Sequence, residues 1–187
     1  VLLNAETGEV KALMDGTFLT QLRTGAVSGA ATDLLARKDS SIFALIGSGG
    51  QAEAQLEAVL AVRPVSEVRI FSPTAAHCEA FAERMRKKFS GIYSARITAV
   101  QSAEAAIANA DIITAVTVSE KPVFDGVQVK AGAHVNGEGS YMPNMQELPE
   151  ALLQRAAKIY LDTRDGVLNE AGDFLTPIKA GRFSAER

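Results

Sequence analysis

The spacing of apolar and polar positions changes along the chain, and the changes divide it. "VLLNAETGEVKALMDG", Val1 to Gly16, gives two short apolar stretches around Glu6-Thr7-Gly8-Glu9 and closes on Asp15-Gly16, which predicts a β-hairpin. From Thr17 to Arg37 the step lengthens to three and four. Leu19, Leu22, Ala26, Ala30 and Leu34 then fall on one line, which predicts an amphipathic helix with that stripe buried. After "KDSS" strand-like and helical runs alternate. Ser41 to Gly47, Glu67 to Ser72, Ala95 to Val100, Asp111 to Val118, Ala133 to Gly139 and Lys158 to Asp162 read as strands. Helices are predicted near Gln51 to Val62, Ala75 to Phe89, Ala103 to Asn109 and Leu148 to Ala157. Near-continuous apolar strands separated by helices predict an α/β fold, a doubly wound parallel sheet covered on both faces.

Composition narrows the functional classes. The 187 residues are 47% hydrophobic and 22% charged, enough for one ordinary core or a large domain with appended pieces. The net charge is -3, and the one basic run, Arg84 to Lys88, lies on a predicted helix as a solvated face. Neither nucleic acid nor an anionic membrane is indicated as a partner. The single cysteine, Cys78, cannot close an internal disulfide, and no Cys/His cluster has metal-ligand spacing, so no metal is expected and a reducing, cytoplasmic compartment is. No apolar run approaches the ~20 residues of a membrane span. Val1 stands where a Met would start a chain, inside an apparent strand, so the sequence reads as an interior piece of a longer protein.

Chemistry enters at "IGSGGQAEAQ", Ile46 to Gln55. Gly47, Gly49 and Ala52 have the G-x-G-x-x-A spacing, directly after the first sheet strand and before a helix. There the glycines permit a tight turn, close approach of backbone to a pyrophosphate and close helix packing, and the helix N-terminus supplies N–H donors. The alternative is a set of ordinary turn glycines. A dinucleotide site is the stronger reading because of the strand and helix around it. The next strand ends "IFSPTAAH", with Ser72 lying 25 positions after Gly47 and Thr74 beyond it, and no carboxylate. Lack of an acid removes the usual partner of NAD ribose hydroxyls and leaves room for the 2′-phosphate of NADP, so either NAD or NADP fits and NADP is favoured. Thr74 reads equally well as a helix cap. In "LTQLRTGA", Arg23 stands near a helix start, where a cation opposes the helix dipole; an anionic partner would explain it, as would a snorkelling surface arginine.

Four stretches in order, "LMDGTFLTQLRTGAVSGAATDLLAR", "IGSGGQAEAQLEAV", "NADIITAVTVSEKPVF" and "GAHVNGEGSYMPNMQEL", resemble the ornithine cyclodeaminase/mu-crystallin family over nearly the whole chain. The resemblance implies a Rossmann domain, residues 38–165, joined to a substrate and dimerisation domain. Residues 1–37 would be that second domain's hairpin and linking helix, and residues 166–187 would return toward it. It implies a homodimer and a small amino or imino acid substrate. Arg23 would hold the substrate carboxylate. Thr24, Gly50, Gln51, Thr117, Val118, Asn136 and Gly137 would line the cofactor with Gly47, Gly49, Ser72 and Thr74.

Two departures accompany the likeness. The family's substrate lysine belongs to an N-terminal segment outside this sequence, and its closing C-terminal helix is not here either. Where cyclodeaminases and alanine dehydrogenases have an acid in a G-x-D-x-P stretch, this chain has "GSYMP", with Tyr141 at the acid's place. A phenol with pKa near ~10 is a poor base at neutral pH, though it donates a hydrogen bond; Tyr141 is then either a catalytic donor or packing. Reduction of a preformed cyclic imine, a ketimine such as pyrroline-2-carboxylate, needs fewer proton transfers than ornithine cyclisation. The expected protein is an NAD(P)-dependent imine reductase. Ornithine cyclodeaminase, alanine dehydrogenase and a non-catalytic crystallin-like binding protein are the alternatives.

Overall fold

The computed structural model describes residues 1–185. Its five-stranded sheet is parallel throughout, in the order β5-β4-β3-β6-β7. These strands are β3 (Ile42–Ile46), β4 (Glu67–Phe71), β5 (Arg96–Ala99), β6 (Ile112–Ala115) and β7 (His134–Gly137). The strand alternation explains the two layers. On β3, Phe43 and Leu45 meet α2 (Ala52–Val62) and α3 (Ala75–Phe89) through Leu56, Val59, Phe81, Met85 and Phe89. Ala44 and Ile46 face the opposite core, with Ala106 and Ile107 of α4 (Ala103–Ile107), Phe124 and Leu148. Each large side chain so buried contributes roughly 1.5–3 kcal/mol, and sharing them between two faces is what holds helices on both. The chain reverses its direction of winding between β3 and β6, which opens a crevice beyond their carboxyl ends, the usual ligand position of such sheets.

The hairpin forms as expected: β1 (Leu2–Leu3) pairs antiparallel with β2 (Val10–Ala12). Asp15 caps α1 (Gly16–Leu35), accepting from the Phe18 N–H at 2.9 Å. The face that α1 buries is not the expected one. Leu34 is 82% exposed and Leu22 55%, and Leu19, Ala26 and Ala30 are exposed too. The buried positions are Gly25, Ser28, Gly29 and Thr32. The reason is close helix packing: a Cβ on Gly25 would stand 2.7 Å from the Ala54 carbonyl oxygen of α2, and one on Gly29 would stand 3.0 Å from the Ala58 Cβ. Small residues let the two backbones approach, so the leucines are turned outward. Arg63, just past α2, fixes the far end by donating to the carbonyls of Thr32, Asp33, Ala36 and Arg37 at 2.6–3.0 Å. Its guanidinium thereby covers the carbonyls at the end of α1.

The other correction concerns Lys158 to Asp162, expected as a strand. It pairs with no strand among the described residues, and Tyr160 is exposed. Apolar spacing alone cannot tell a strand from an extended connection, because a strand also needs a neighbouring edge to bond. After it come α6 (Arg164–Glu170) and α7 (Gly172–Lys179), while α5 (Glu150–Arg155) is shorter at both ends than its apolar pattern. No helix of the described residues is long and apolar enough to cross a membrane.

Candidate active site

The glycine loop leaves β3 in a conformation that only glycine adopts easily. Gly47 has φ +117°, and a Cβ there would lie 2.5 Å from the Val116 carbonyl oxygen at the end of β6. Gly49 differs: a Cβ would meet nothing within 4 Å. Its bare backbone therefore faces open space in front of α2, where an anion would meet the helix N-terminus. Gln51 occupies the first position of that helix end without a side-chain cap. Beside it, an open groove of ≈ 480 Å³ is lined by Gly16, Thr17, Thr20, Gln21, Gly50 and Gln51. Four neighbouring side chains carry buried polar atoms with no partner: Thr24 Oγ1, Ser28 Oγ, Gln51 Oε1 and both amide atoms of Gln55. Open glycine backbone, a free helix end and orphaned donors and acceptors fit a polar, phosphate-bearing cofactor.

At the end of β4, Thr74 takes the N-cap position of α3, but its side chain makes no capping bond. Of its two expected roles, capping is therefore not the one it plays. Ser72 is half-buried, and the first turn of α3 has no acid. Arg23 is exposed and is the eighth residue of α1, so the helix-dipole argument for an anionic partner lapses, because that effect fades beyond the first turn. Its place above the sheet's carboxyl edge is what commends it, near Glu138.

The ends of β6 and β7 are tied by a carboxylate that sequence reasoning missed. Glu147, 1% exposed, accepts from the Thr117 N–H at 2.7 Å and its hydroxyl at 2.9 Å through one oxygen. The other oxygen accepts from Glu138 N–H at 2.9 Å and Gly139 N–H at 2.5 Å. A Cβ on Gly139 would collide with the Thr117 carbonyl oxygen, so glycine is required for this closure. Burial raises the Glu147 carboxyl above its ordinary value despite these donors. Behind it, Asp173 accepts from the backbone of Glu147 at 2.8 Å and Leu148 at 2.9 Å. Burial lifts Asp173 to about 6. Glu147 stands in "MQEL" between Met145 and Leu148, and nothing in that local pattern marks it as buried.

The remaining expected residues separate. Thr117 sits at the crevice with its hydroxyl bound by Glu147. Val118 is 73% exposed beside it. Asn136 lies on β7, but its amide is occupied inside the packing: Nδ2 donates to Thr32 Oγ1 at 3.1 Å and Thr114 Oγ1 at 3.2 Å. Its Oδ1 must then accept from His134 Nε2, 2.8 Å away, which fixes the tautomer. Gly137 is backed by Leu148. Tyr141 is 58% exposed. Among the described residues no group of three His, Cys, Asp or Glu side chains could hold a metal ion.

Fold and site together define a doubly wound, Rossmann-type α/β domain with a glycine loop at its crevice. Residues 1–181 match the ornithine cyclodeaminase/mu-crystallin family, and the chain belongs to it. It is 40% identical over 188 aligned residues to a Delta(1)-pyrroline-2-carboxylate reductase of Bacillus cereus, covering 99% of this chain and 55% of the relative. Among solved structures, Thermococcus litoralis Delta(1)-pyrroline-2-carboxylate reductase in complex with NADH and L-proline superposes with a TM-score of 0.92 at 38% identity, over 98% of this chain and 55% of that one. An archaeal alanine dehydrogenase dimer with bound NAD gives 0.86 at 35% identity, with the same coverage of 98% and 55%. The chain thus spans about half the length of the relatives it matches.

Proposed function

We propose that this chain is part of an NAD(P)-dependent reductase of small cyclic imino acids, with pyrroline-2-carboxylate as the type substrate. The observation that carries the reading is the loop after β3, where Gly47 is forced by its neighbours and Gly49 faces open space at a free helix end. The reductases among the relatives support the reaction. Residues 38–165 form the dinucleotide domain; residues 1–37 and 166–187 belong with a second, substrate and dimerisation domain. Gly47, Gly49, Gly50 and Gln51 hold the pyrophosphate, Thr117, Val118 and the backbone of Asn136 and Gly137 border the nicotinamide, and Thr24 adds its free hydroxyl. A bound reduced nicotinamide supplies the hydride for the α-carbon. Arg23 clamps the substrate carboxylate, which orients the imine for attack. A homodimer is supported by the apolar residues left exposed on the hairpin and α1, among them Leu2, Leu3, Val10, Leu22 and Leu34, and the site of action is the cytoplasm.

NADP is the favoured dinucleotide. Ser72 stands where an acid would repel a 2′-phosphate, the Thr74 hydroxyl makes no cap bond, and the start of α3 offers its N–H groups. Ser72→Asp is expected to shift preference toward NAD by tenfold or more; wild-type protein binding NAD(H) as tightly as NADP(H) would refute the choice. The reaction is tested on full-length protein, with pyrroline-2-carboxylate plus NADPH in one assay and ornithine plus catalytic NAD in another. Imine reduction without proline formation from ornithine is expected. Tight dinucleotide binding with no turnover would favour a non-catalytic binding protein, the reading to which the exposed Tyr141 lends some weight.

A further inference from the structure

Reduction of an imine requires a proton at nitrogen, and Tyr141 points its ring largely into solvent. Glu138, Glu147, Asp162 and Asp173 cluster beyond the end of β7. Two of them are engaged by buried donors and a third is exposed. Glu147 binds three backbone N–H groups and the Thr117 hydroxyl, Asp173 binds two backbone N–H groups, and exposed Asp162 accepts from the Thr163 N–H at 2.6 Å.

Glu138 is differently placed. Side chains two apart on a strand share a face, and Asn136 of β7 reaches Thr32 of α1. The Glu138 backbone continues the ladder, its N–H donating to the Ala115 carbonyl at 3.0 Å, so its side chain follows Asn136 onto the α1 side. One helical turn before Thr32 comes Ser28, and a further turn brings Thr24 and Arg23. Accordingly the Glu138 carboxyl lies beside the Ser28 hydroxyl and within the field of Arg23. Ser28 is 1% exposed, and Glu138 is the acid its hydroxyl lies beside. Of these four carboxyls, Glu138 is the one set on the α1 face beside Ser28 and toward Arg23.

Resting on the reductase reading, we infer that Glu138 is the catalytic acid that gives the substrate nitrogen its proton. As hydride reaches the α-carbon, the C=N π pair moves onto nitrogen and takes the carboxyl proton of Glu138. The imine is reduced, the dinucleotide is oxidised, and the carboxylate left behind regains its proton from water. The electrostatics suit an acid working near neutrality: burial first, then the charges of Glu147 and Asp162, raise Glu138 to about 7, against smaller opposing effects of Ser28 and Arg23.

The test uses full-length protein and Glu138→Gln. Dinucleotide titration followed by fluorescence should give the same affinity for both proteins, which establishes a folded site. Carbon-13 NMR of glutamate-labelled, cofactor-free protein should show a carboxyl titrating near neutrality in the wild type that is missing from the variant. In imine reduction the variant should lose about 10²-fold or more in kcat, together with the fall in rate above pH ~7. An unchanged kcat and pH profile would overturn the inference while leaving the reductase reading intact. A rise in KM alone would overturn it too, because it would make Glu138 a support for Arg23. Wild-type protein that binds NADPH yet reduces no imine would overturn both readings.

Discussion

Asp111 enters β6 at one end of the sheet, and Glu138 leaves β7 at the other. The first is fully provided with partners: Arg37 at 2.6 Å, Lys130 at 2.5 Å, and the N–H groups of Ser41 and Ile42 at 3.0 and 3.1 Å. Burial opposes its ionisation, but Lys130 and the two amides win and hold it well below the usual carboxylate range. At the opposite end burial outweighs the donors present, and Glu138 and Asp173 are pushed up. Fold and site thus use one residue type in opposite ways. Neutralised, the carboxylate joins β3, β6 and the loop before β7; left without a bonded cation, it is poised to exchange a proton.

The comparison breaks most visibly at Asp111. Asp111→Ala leaves two backbone amides and two cations without their common acceptor, and a loss of about 3 kcal/mol in urea unfolding is expected. Glu138→Gln should leave stability unchanged or slightly higher, since it removes a charge that burial disfavours. A loss below 1 kcal/mol for Asp111→Ala would show that the cations and amides find water instead.

A smaller effect separates two glycines of one loop. Gly47→Ala must place a Cβ at φ +117° against the Val116 carbonyl, so about 2 kcal/mol of stability should be lost. Gly49→Ala meets open space and should cost under about 0.5 kcal/mol, while weakening dinucleotide binding tenfold or more in calorimetric titration. Unchanged affinity in Gly49→Ala would remove the pyrophosphate from this loop.

The sheet and its glycine loop were legible because each is written locally. Runs such as "IFALI" are fully apolar where both faces are covered, and a G-x-G turn between strand and helix has few other uses. The orientation of α1 was not legible. Leucines at helical spacing look like the buried stripe, yet the packing partner α2 presents Ala54 and Ala58, and only glycines admit its approach. Reading the small residues Gly25, Ser28, Gly29 and Thr32 as a periodic set would have found that face. The carboxylates of the site were hidden for another reason. Glu138 and Glu147 are nine positions apart in the sequence, and only the closure at Gly139 turns the Glu147 side chain back to bind the Glu138 amide. Tyr141 draws attention through family position alone, while Glu138, two residues past Asn136 on the same strand face, falls within the "VNGE" stretch that the resemblance puts beside the nicotinamide but gains no role of its own there.

The least of the expected effects is the pH dependence of stability, and its sign discriminates between the two ends. Glu138 and Asp173 bind protons more tightly folded, at about 7 and about 6, than at their ordinary 4.5 and 3.8. Between roughly pH 4 and 7 the folded state therefore holds more protons than the unfolded one, and stability rises as pH falls through that window. Asp111 acts in reverse: its contribution is complete above the ordinary carboxylate range and is lost only below about pH 4. His134, half-buried and lowered by that burial, opposes the gain below its ordinary 6.5, because the unfolded chain takes up that proton first. The net expectation is a maximum near pH 4 to 5, on the order of 2 kcal/mol or more above the value at pH 8 and several degrees in Tm. Glu138→Gln and Asp173→Asn should each flatten the rise between pH 8 and 6 in thermal unfolding, and Asp111→Asn should leave that limb alone and alter the fall below pH 4. If wild-type stability is flat or falls from pH 8 to 6, the carboxyl edge is solvated and its acids are ordinary.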